Sequence, residues 1–279
     1  MKNTTVLFIN KAFVIIGIIL ISTAFYGSIF SINTPNKKSY SKLGLNKQKQ
    51  IEQFSPELWY QVKSLDDLHE LANNQNFNLL TSQEKMDVIF NLVIQNFIHK
   101  EAKHTFLSNY ILFFLGQIHD SFLHIHNPDI LLSKVYYGFC DQQSYVLLKL
   151  ASKFGLHGRH VGLNGHVVVE IFYDNEFHLY DPDLEVIPKN KNGKVLSIAE
   201  LIQDDVLLNK YYDSDAIQII KNINDHNYVT TPAGSWFVWK ANVLYKFEEL
   251  MEYFKFIFPI LLIIIGVYLK KALLTNKRE

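Results

Sequence analysis

The chain has 279 residues, 48% of them hydrophobic, with 27 Lys plus Arg against 27 Asp plus Glu. That hydrophobic content excludes a disordered chain and allows one domain of ordinary size plus membrane segments. The balanced charge gives no basic stripe for a nucleic-acid partner, and the single cysteine excludes an internal disulfide framework or a multi-cysteine metal site.

From Ala12 to Ile32 every residue is apolar or small (AFVIIGIILISTAFYGSIFSI). In a helix, about 20 such residues rise ~30 Å, the thickness of a hydrocarbon core, so residues 1–32 are expected to enter a membrane. Ser22-Thr23-Ala24 has the small side chains of a signal-peptide cleavage site. The apolar run nevertheless continues through Phe25, Tyr26, Ile29 and Phe30, which favours an uncleaved anchor. Residues 33–54, polar and rich in lysine, read as a tether to a domain over 55–250.

Ser55-Pro56 opens a helix, with Ser55 as its cap. Leu58, Val62, Leu65, Leu68 and Leu71 recur at helical spacing and predict one helix ending at Asn73-Asn74. Another starts at Ser82, with Met86, Ile89, Phe90, Val93 and Phe97 on one face. Phe106–Ile118 is apolar nearly all round and too short to span a membrane, so it is expected to be a buried helix. His119, His124 and His126 lie beside Asp120, but their spacing matches no metal motif and exposed loop histidines are common.

The stretch from Tyr136 to Asp183 carries the chemistry. Val146, Leu147, Leu150, Ala151 and Phe154 fall at helical intervals after Cys140, and Gly155 is a helix stop. Cys140 therefore sits in a first helical turn, where exposed N–H groups and the helix dipole favour a thiolate. The plain alternative is a buried structural cysteine. Two strands, His160–Leu163 and His166–Tyr173, flank Asn164-Gly165, a favoured hairpin turn. A second hairpin turns at Asp174-Asn175 and runs to Asp181. With a two-residue loop there, Tyr173 faces Glu176 and Val168 faces Asp181, so His166 and Asp181 become diagonal neighbours on one face. A three-residue loop would place them on opposite faces.

Thiol, base and orienter together form an activated nucleophile. Cys140 would attack an acyl carbon, His166 would carry the proton and Asp181 would fix the imidazole. The Cys140 N–H would serve an oxyanion. Gln142 and Gln143 lie nearby and read as structural or solvated. His157, His160 and His178 are rival bases, and Glu170 falls on the His166 face as a supporting or solvated carboxylate.

Beyond this unit, Pro182–Gly193 reads as a polar loop, Ser197 begins a short helix and Asp213–Asn222 another. Thr231-Pro232-Ala233-Gly234 is a turn before Trp236 and Trp239, which fit a membrane interface, a groove or a core equally. A second apolar run, Phe256–Leu269, becomes long enough to span as residues 251–271 if Tyr253, Lys255 and the Lys270-Lys271 pair sit at the interfaces. The basic tail over 272–279 is expected in the cytoplasm, which puts the domain outside it. Lys37, Lys38, Lys42, Lys47 and Lys49 oppose that placement, although long translocated regions obey the charge rule poorly.

Gly138-Phe139-Cys140, the helix to Gly155, Arg159, Gly165-His166 with Glu170, and Asp181-Pro182 resemble the bacterial transglutaminase-like superfamily. The resemblance covers about 50 residues. It implies an α+β, papain-like core, with a cysteine helix packed on an antiparallel sheet; the N-terminal helices and the two flanking transmembrane helices are those read above from apolar spacing and run length. It also implies a triad of Cys140, His166 and Asp181, a structural Arg159, and a peptide or amide substrate, with an envelope-associated protein as one such substrate. Phe177 stands where many members carry tryptophan, and Asp141 replaces the tryptophan that follows the cysteine in animal enzymes. The superfamily includes acyltransferases, amidases, peptidases and inactive members, so a scaffold module in envelope or polysaccharide assembly is the alternative. The implied chemistry calls for no cofactor and no metal.

Overall fold

The computed structural model describes residues 2–29, 53–74, 77–163, 165–221, 229–230 and 236–275. The tether up to residue 52, Asn164 and the turn over 231–234 lie outside the described residues. The chain divides into two compact units, one of Met1–Ile32, Lys103–Ile125 and Leu244–Glu279, the other of Asn33–Ala102 and His126–Val243. The first holds Lys2–Ile29 (α1), and the second begins with Pro56–Gln61 (α2).

Ser55 caps α2 as expected, its Oγ accepting the Leu58 N–H at 3.2 Å. The single helix predicted to run on to Asn73 is instead broken after Gln61 and restarts as Leu65–Asn73 (α3). Ser64 Oγ accepts the Asp67 N–H at 3.2 Å while Asp67 Oδ2 accepts the Lys63 N–H at 2.7 Å, a reciprocal cap that favours a new start over continuation. Ser82–Ile94 (α4) starts on a Thr81–Glu84 capping box and buries Met86, Ile89, Phe90 and Val93, as its spacing requires.

Ile98–His99 (β1) pairs in parallel with Tyr137–Gly138 (β2). Between them in sequence come Tyr110–Gly116 (α5) and Pro128–Lys134 (α6). Cys140–Lys153 (α7) then follows β2 after Phe139. It ends where Gly155 takes φ +74° and the Leu156 N–H returns to the Ala151 carbonyl at 3.1 Å. His157–Leu163 (β3), His166–Tyr173 (β4), Glu176–Tyr180 (β5) and Val229–Thr230 (β6) form an antiparallel sheet in the order β5-β4-β3-β6. Asp174 (φ +52°) and Asn175 (φ +65°) are both left-handed, the two-residue turn that matches strand twist, and Tyr173 pairs with Glu176 as read from the sequence.

α7 lies against β3 and β4. Gly158 of β3 faces it: a Cβ there would stand 2.7 Å from Leu148 Cδ1 and 2.5 Å from Ile171 Cδ1. Gly158→Val is therefore expected to cost ~1–3 kcal/mol by overpacking. Thermal unfolding of the detergent-solubilised chain checks this, and an unchanged midpoint would contradict the close approach.

Because strand side chains alternate, Val161, Leu163 and Val168 point to the opposite face. There they join one apolar cluster with residues of Ile198–Leu201 (α8), Asp205–Tyr211 (α9) and Ser214–Lys221 (α10). The segment predicted as a polar loop, Pro182–Gly193, departs from that reading in its first half. Asp183, Leu184, Glu185 and Val186 are all buried, because Asp181 and Val186 exchange backbone hydrogen bonds and fold the chain inward.

Among the described residues two helical segments are long and apolar enough to cross a membrane, Phe8–Ile29 and Asn242–Ala272. The short apolar run at 256–269 is the middle of one helix, Trp236–Thr275 (α11), which continues through Pro259. The two segments run antiparallel, with Gly17 against Ile263 and the Pro259 carbonyl, Gly266 against Asn10 and Val14, and Phe25 against Phe256. Small residues let the backbones approach, as at packed helices in lipid.

Phe106–Ile118 is not the buried helix expected. Leu107, Phe114 and Ile118 are exposed, because α5 is short and only Tyr110, Leu112 and Gly116 turn inward. Its anchorage is polar: the Tyr110 hydroxyl donates to the Lys255 carbonyl at 2.7 Å, and buried Lys255 Nζ donates to Ser108 O and Glu252.

Candidate active site

The site is assembled where the N-terminus of α7 meets the first residue of β4. The Phe139 N–H donates to Gln142 Oε1 at 3.0 Å, and the Gln142 side chain also bonds both the N–H and the carbonyl of Ala102. These bonds fix the first turn, and with it Cys140, which is buried and in no disulfide. The structural role read for Gln142 holds.

His166 opens β4 immediately after Gly165, which takes φ +107°. Its Nε2 lies 2.9 Å from Asp181 Oδ2, and a nitrogen of its ring lies within 4.8 Å of the Cys140 sulfur. Since Nε2 faces the carboxylate, Nδ1 is the nitrogen left to the sulfur. Asp181 is fully buried just past β5. Its Oδ1 accepts the Leu184 N–H at 3.1 Å and its Oδ2 the Tyr212 hydroxyl at 3.3 Å. The structure thus brings Cys140, His166 and Asp181 together in that order, on the register that a two-residue turn at Asp174-Asn175 requires.

Burial opposes a charge on His166. The Asp181 carboxylate outweighs it by charge and hydrogen bond, and with Cys140 holds the imidazole well above its ordinary value. A proton on His166 and a negative charge on the sulfur therefore favour one another. The Tyr212 hydroxyl is pushed far up by burial, then by Asp181, and stays a neutral donor.

The rival histidines lie elsewhere. His157 is exposed. His160 is buried with its ring 6.0 Å from that of Tyr145, and burial lowers it to about 4. His178 stacks on Tyr173 at 3.7 Å and bonds the carbonyls of Val195 and Tyr173. Glu170 is neither solvated nor at the sulfur. It is fully buried, pairs with Arg159 at 2.7 Å and accepts the Ile198 N–H at 2.9 Å. Arg159 in turn lies over the Phe177 ring at 3.7 Å. His119, His124 and His126 form no three-ligand cluster among the described residues, and His119 Nδ1 instead accepts the Ser121 N–H.

Asp183, with the His99 and Gln143 that hold it, was not read as part of the site from the sequence. Asp183 is a second buried carboxylate, and one of its oxygens, a His166 ring nitrogen and the Cys140 sulfur all lie within 4.8 Å of one another. Its Oδ1 meets His99 Nδ1 at 2.7 Å and accepts the Gln143 amide at 2.9 Å. Burial pushes this carboxyl up, against the pull of His99. Gln143, read as structural or solvated, therefore touches the site. His99 arrives through the β1–β2 pairing, which sets it opposite Gly138.

The cleft over the sulfur is small, about 120 Å³, and is lined by His99, Phe139, Gly165, Leu184, Ala216 and Ile219 beside the polar groups. Sites for whole small-molecule ligands run to ~300–1,000 Å³, so this one admits a single side chain or acyl group. Comparison of the chain with protein-family models, curated proteins and solved structures finds no match.

Proposed function

We propose that this chain is a membrane-anchored cysteine enzyme of the transglutaminase-like type, with a papain-like core, that cleaves or transfers an amide or peptide acyl group. The observation that carries the reading is the arrangement itself: a thiol in the first turn of α7, an imidazole within 4.8 Å of it, and a buried carboxylate on that imidazole.

The sulfur of Cys140 attacks the substrate carbonyl and forms the C–S bond. The Cys140 N–H, in the helix turn whose donors have no intrahelical acceptor, faces the developing oxyanion. Protonated His166 gives its proton to the departing amine as the C–N bond breaks, leaving a thioester. Water or a second amine then attacks, His166 takes its proton, and the sulfur leaves. Asp181 stabilises the imidazolium at both steps. No step calls on a cofactor.

The two apolar helices support a location in the cell membrane. The basic residues after the second, Lys270, Lys271, Lys277 and Arg278, support a cytoplasmic tail with the bulk of the chain outside. Peptide or amide groups of envelope-associated proteins are then the substrates within reach.

A thioester-forming acyl probe, applied to the full chain in detergent, is expected to add its acyl mass to the peptide carrying Cys140. His166→Ala should abolish the adduct. Absence of labelling in a folded, chelator-treated protein would leave an inactive scaffold module as the reading.

A further inference from the structure

We propose that Cys140, His166 and Asp183 also form a binding site for one zinc-like divalent transition metal, which caps the sulfur. This inference does not rest on the acyl-transfer reading. It starts from geometry. Three different donor atoms, the Cys140 sulfur, a His166 ring nitrogen and an Asp183 oxygen, lie within 4.8 Å of one another in a buried site.

A divalent ion suits that set. With a thiolate, a carboxylate and a neutral imidazole as ligands, its two positive charges are matched by the groups that bind it, as burial of a charge requires. Sulfur, nitrogen and oxygen at one point match zinc and its borderline neighbours rather than magnesium or calcium, which take oxygen alone.

The outer contacts are those a metal centre needs. His166 has Asp181 on its far nitrogen, the carboxylate–histidine arrangement that orients a metal-bound ring. Asp183 is held by His99 and Gln143, and both bonds end on Oδ1. Among the described residues Oδ2 has no protein partner, although Asp183 is 3% exposed and lines the cleft. A carboxylate oxygen left to the cleft beside a thiol is placed to take a cation. Metal–ligand distances of ~2.0–2.3 Å require the three atoms to close by about 1 Å, within the reach of side-chain rotation. The cleft supplies the fourth position.

Cobalt(II) titration of the full chain in detergent tests this. One equivalent is expected to give the thiolate-to-cobalt charge-transfer band and the visible bands of a tetrahedral site. Zinc should remove both and protect Cys140 from alkylation. Cys140→Ser should lose the charge-transfer band, and Asp183→Asn should weaken cobalt binding by at least about tenfold, with circular dichroism confirming that each variant is folded. No charge-transfer band at excess cobalt, or undiminished affinity in Asp183→Asn, would overturn the proposal. Acyl labelling in the presence of chelator is a separate readout, so the metal site and the enzyme can fail independently.

Discussion

Asparagine at position 181 is expected to slow acylation of Cys140 by roughly 10²–10⁴-fold, the range that a positioned proton-transfer group supplies. The substitution keeps shape and leaves an oxygen for the Leu184 N–H, so the fold should persist. What it removes is the charge opposite His166 Nε2. An amide there can donate as well as accept, so nothing selects the tautomer that leaves Nδ1 to the sulfur. The pH profile should move with it. Without the carboxylate, burial dominates and the His166 value falls, so the alkaline limb of acylation moves to lower pH.

Stability follows the same sign. A histidine raised in the folded state contributes stability that is fully present below its ordinary value of about 6.5 and is lost as pH rises through the elevated one. The wild-type advantage over Asp181→Asn should therefore shrink towards alkaline pH. An alkaline limb unmoved in the variant would show that Asp181 does not govern the imidazole.

The parts of this arrangement that lay open in the sequence are those set by short-range rules. Asp174-Asn175 dictates a two-residue turn, the turn dictates Tyr173 opposite Glu176, and strand alternation then carries His166 to Asp181. The same reasoning applied to the first hairpin sets Arg159 opposite Glu170 and so exposes their ion pair, a consequence that is easily passed over when Glu170 is read alone. Asp183 and His99 were not legible. They reach the sulfur through a non-periodic segment and a two-residue parallel pairing, neither of which leaves a pattern along the chain. Polar character misled at 183–186, where hydrogen bonds permit burial. Apolar character misled at 106–118, since a segment apolar all round does not say which neighbour covers it. The break between α2 and α3 turned on a cap at Ser64 that hydrophobic spacing outweighed on paper but not in the chain.

Glu170→Ala is expected to destabilise the protein by ~1–3 kcal/mol, the cost of leaving a buried donor, the Ile198 N–H, unsatisfied. Glu170 does two things at once. Its Oε2 holds Arg159 across the β3–β4 ladder, and its Oε1 accepts the Ile198 N–H at the start of α8. The Arg159 side chain is 28% exposed and can recover water, but the Ile198 N–H bonds to a carboxylate that is itself fully enclosed. Glutamine should restore that acceptor and recover part of the loss. Replacing Arg159 and Glu170 together by apolar residues of similar size should cost about as much as Glu170→Ala alone, because both leave the Ile198 N–H without its acceptor while Arg159 on its own returns to water. Thermal and denaturant unfolding of the detergent-solubilised chain would read these differences. If Glu170→Gln cost as much as Glu170→Ala, the Ile198 contact would carry no weight. If the double replacement were the worst of the three, Arg159 would support β3 by contacts beyond its pair with Glu170.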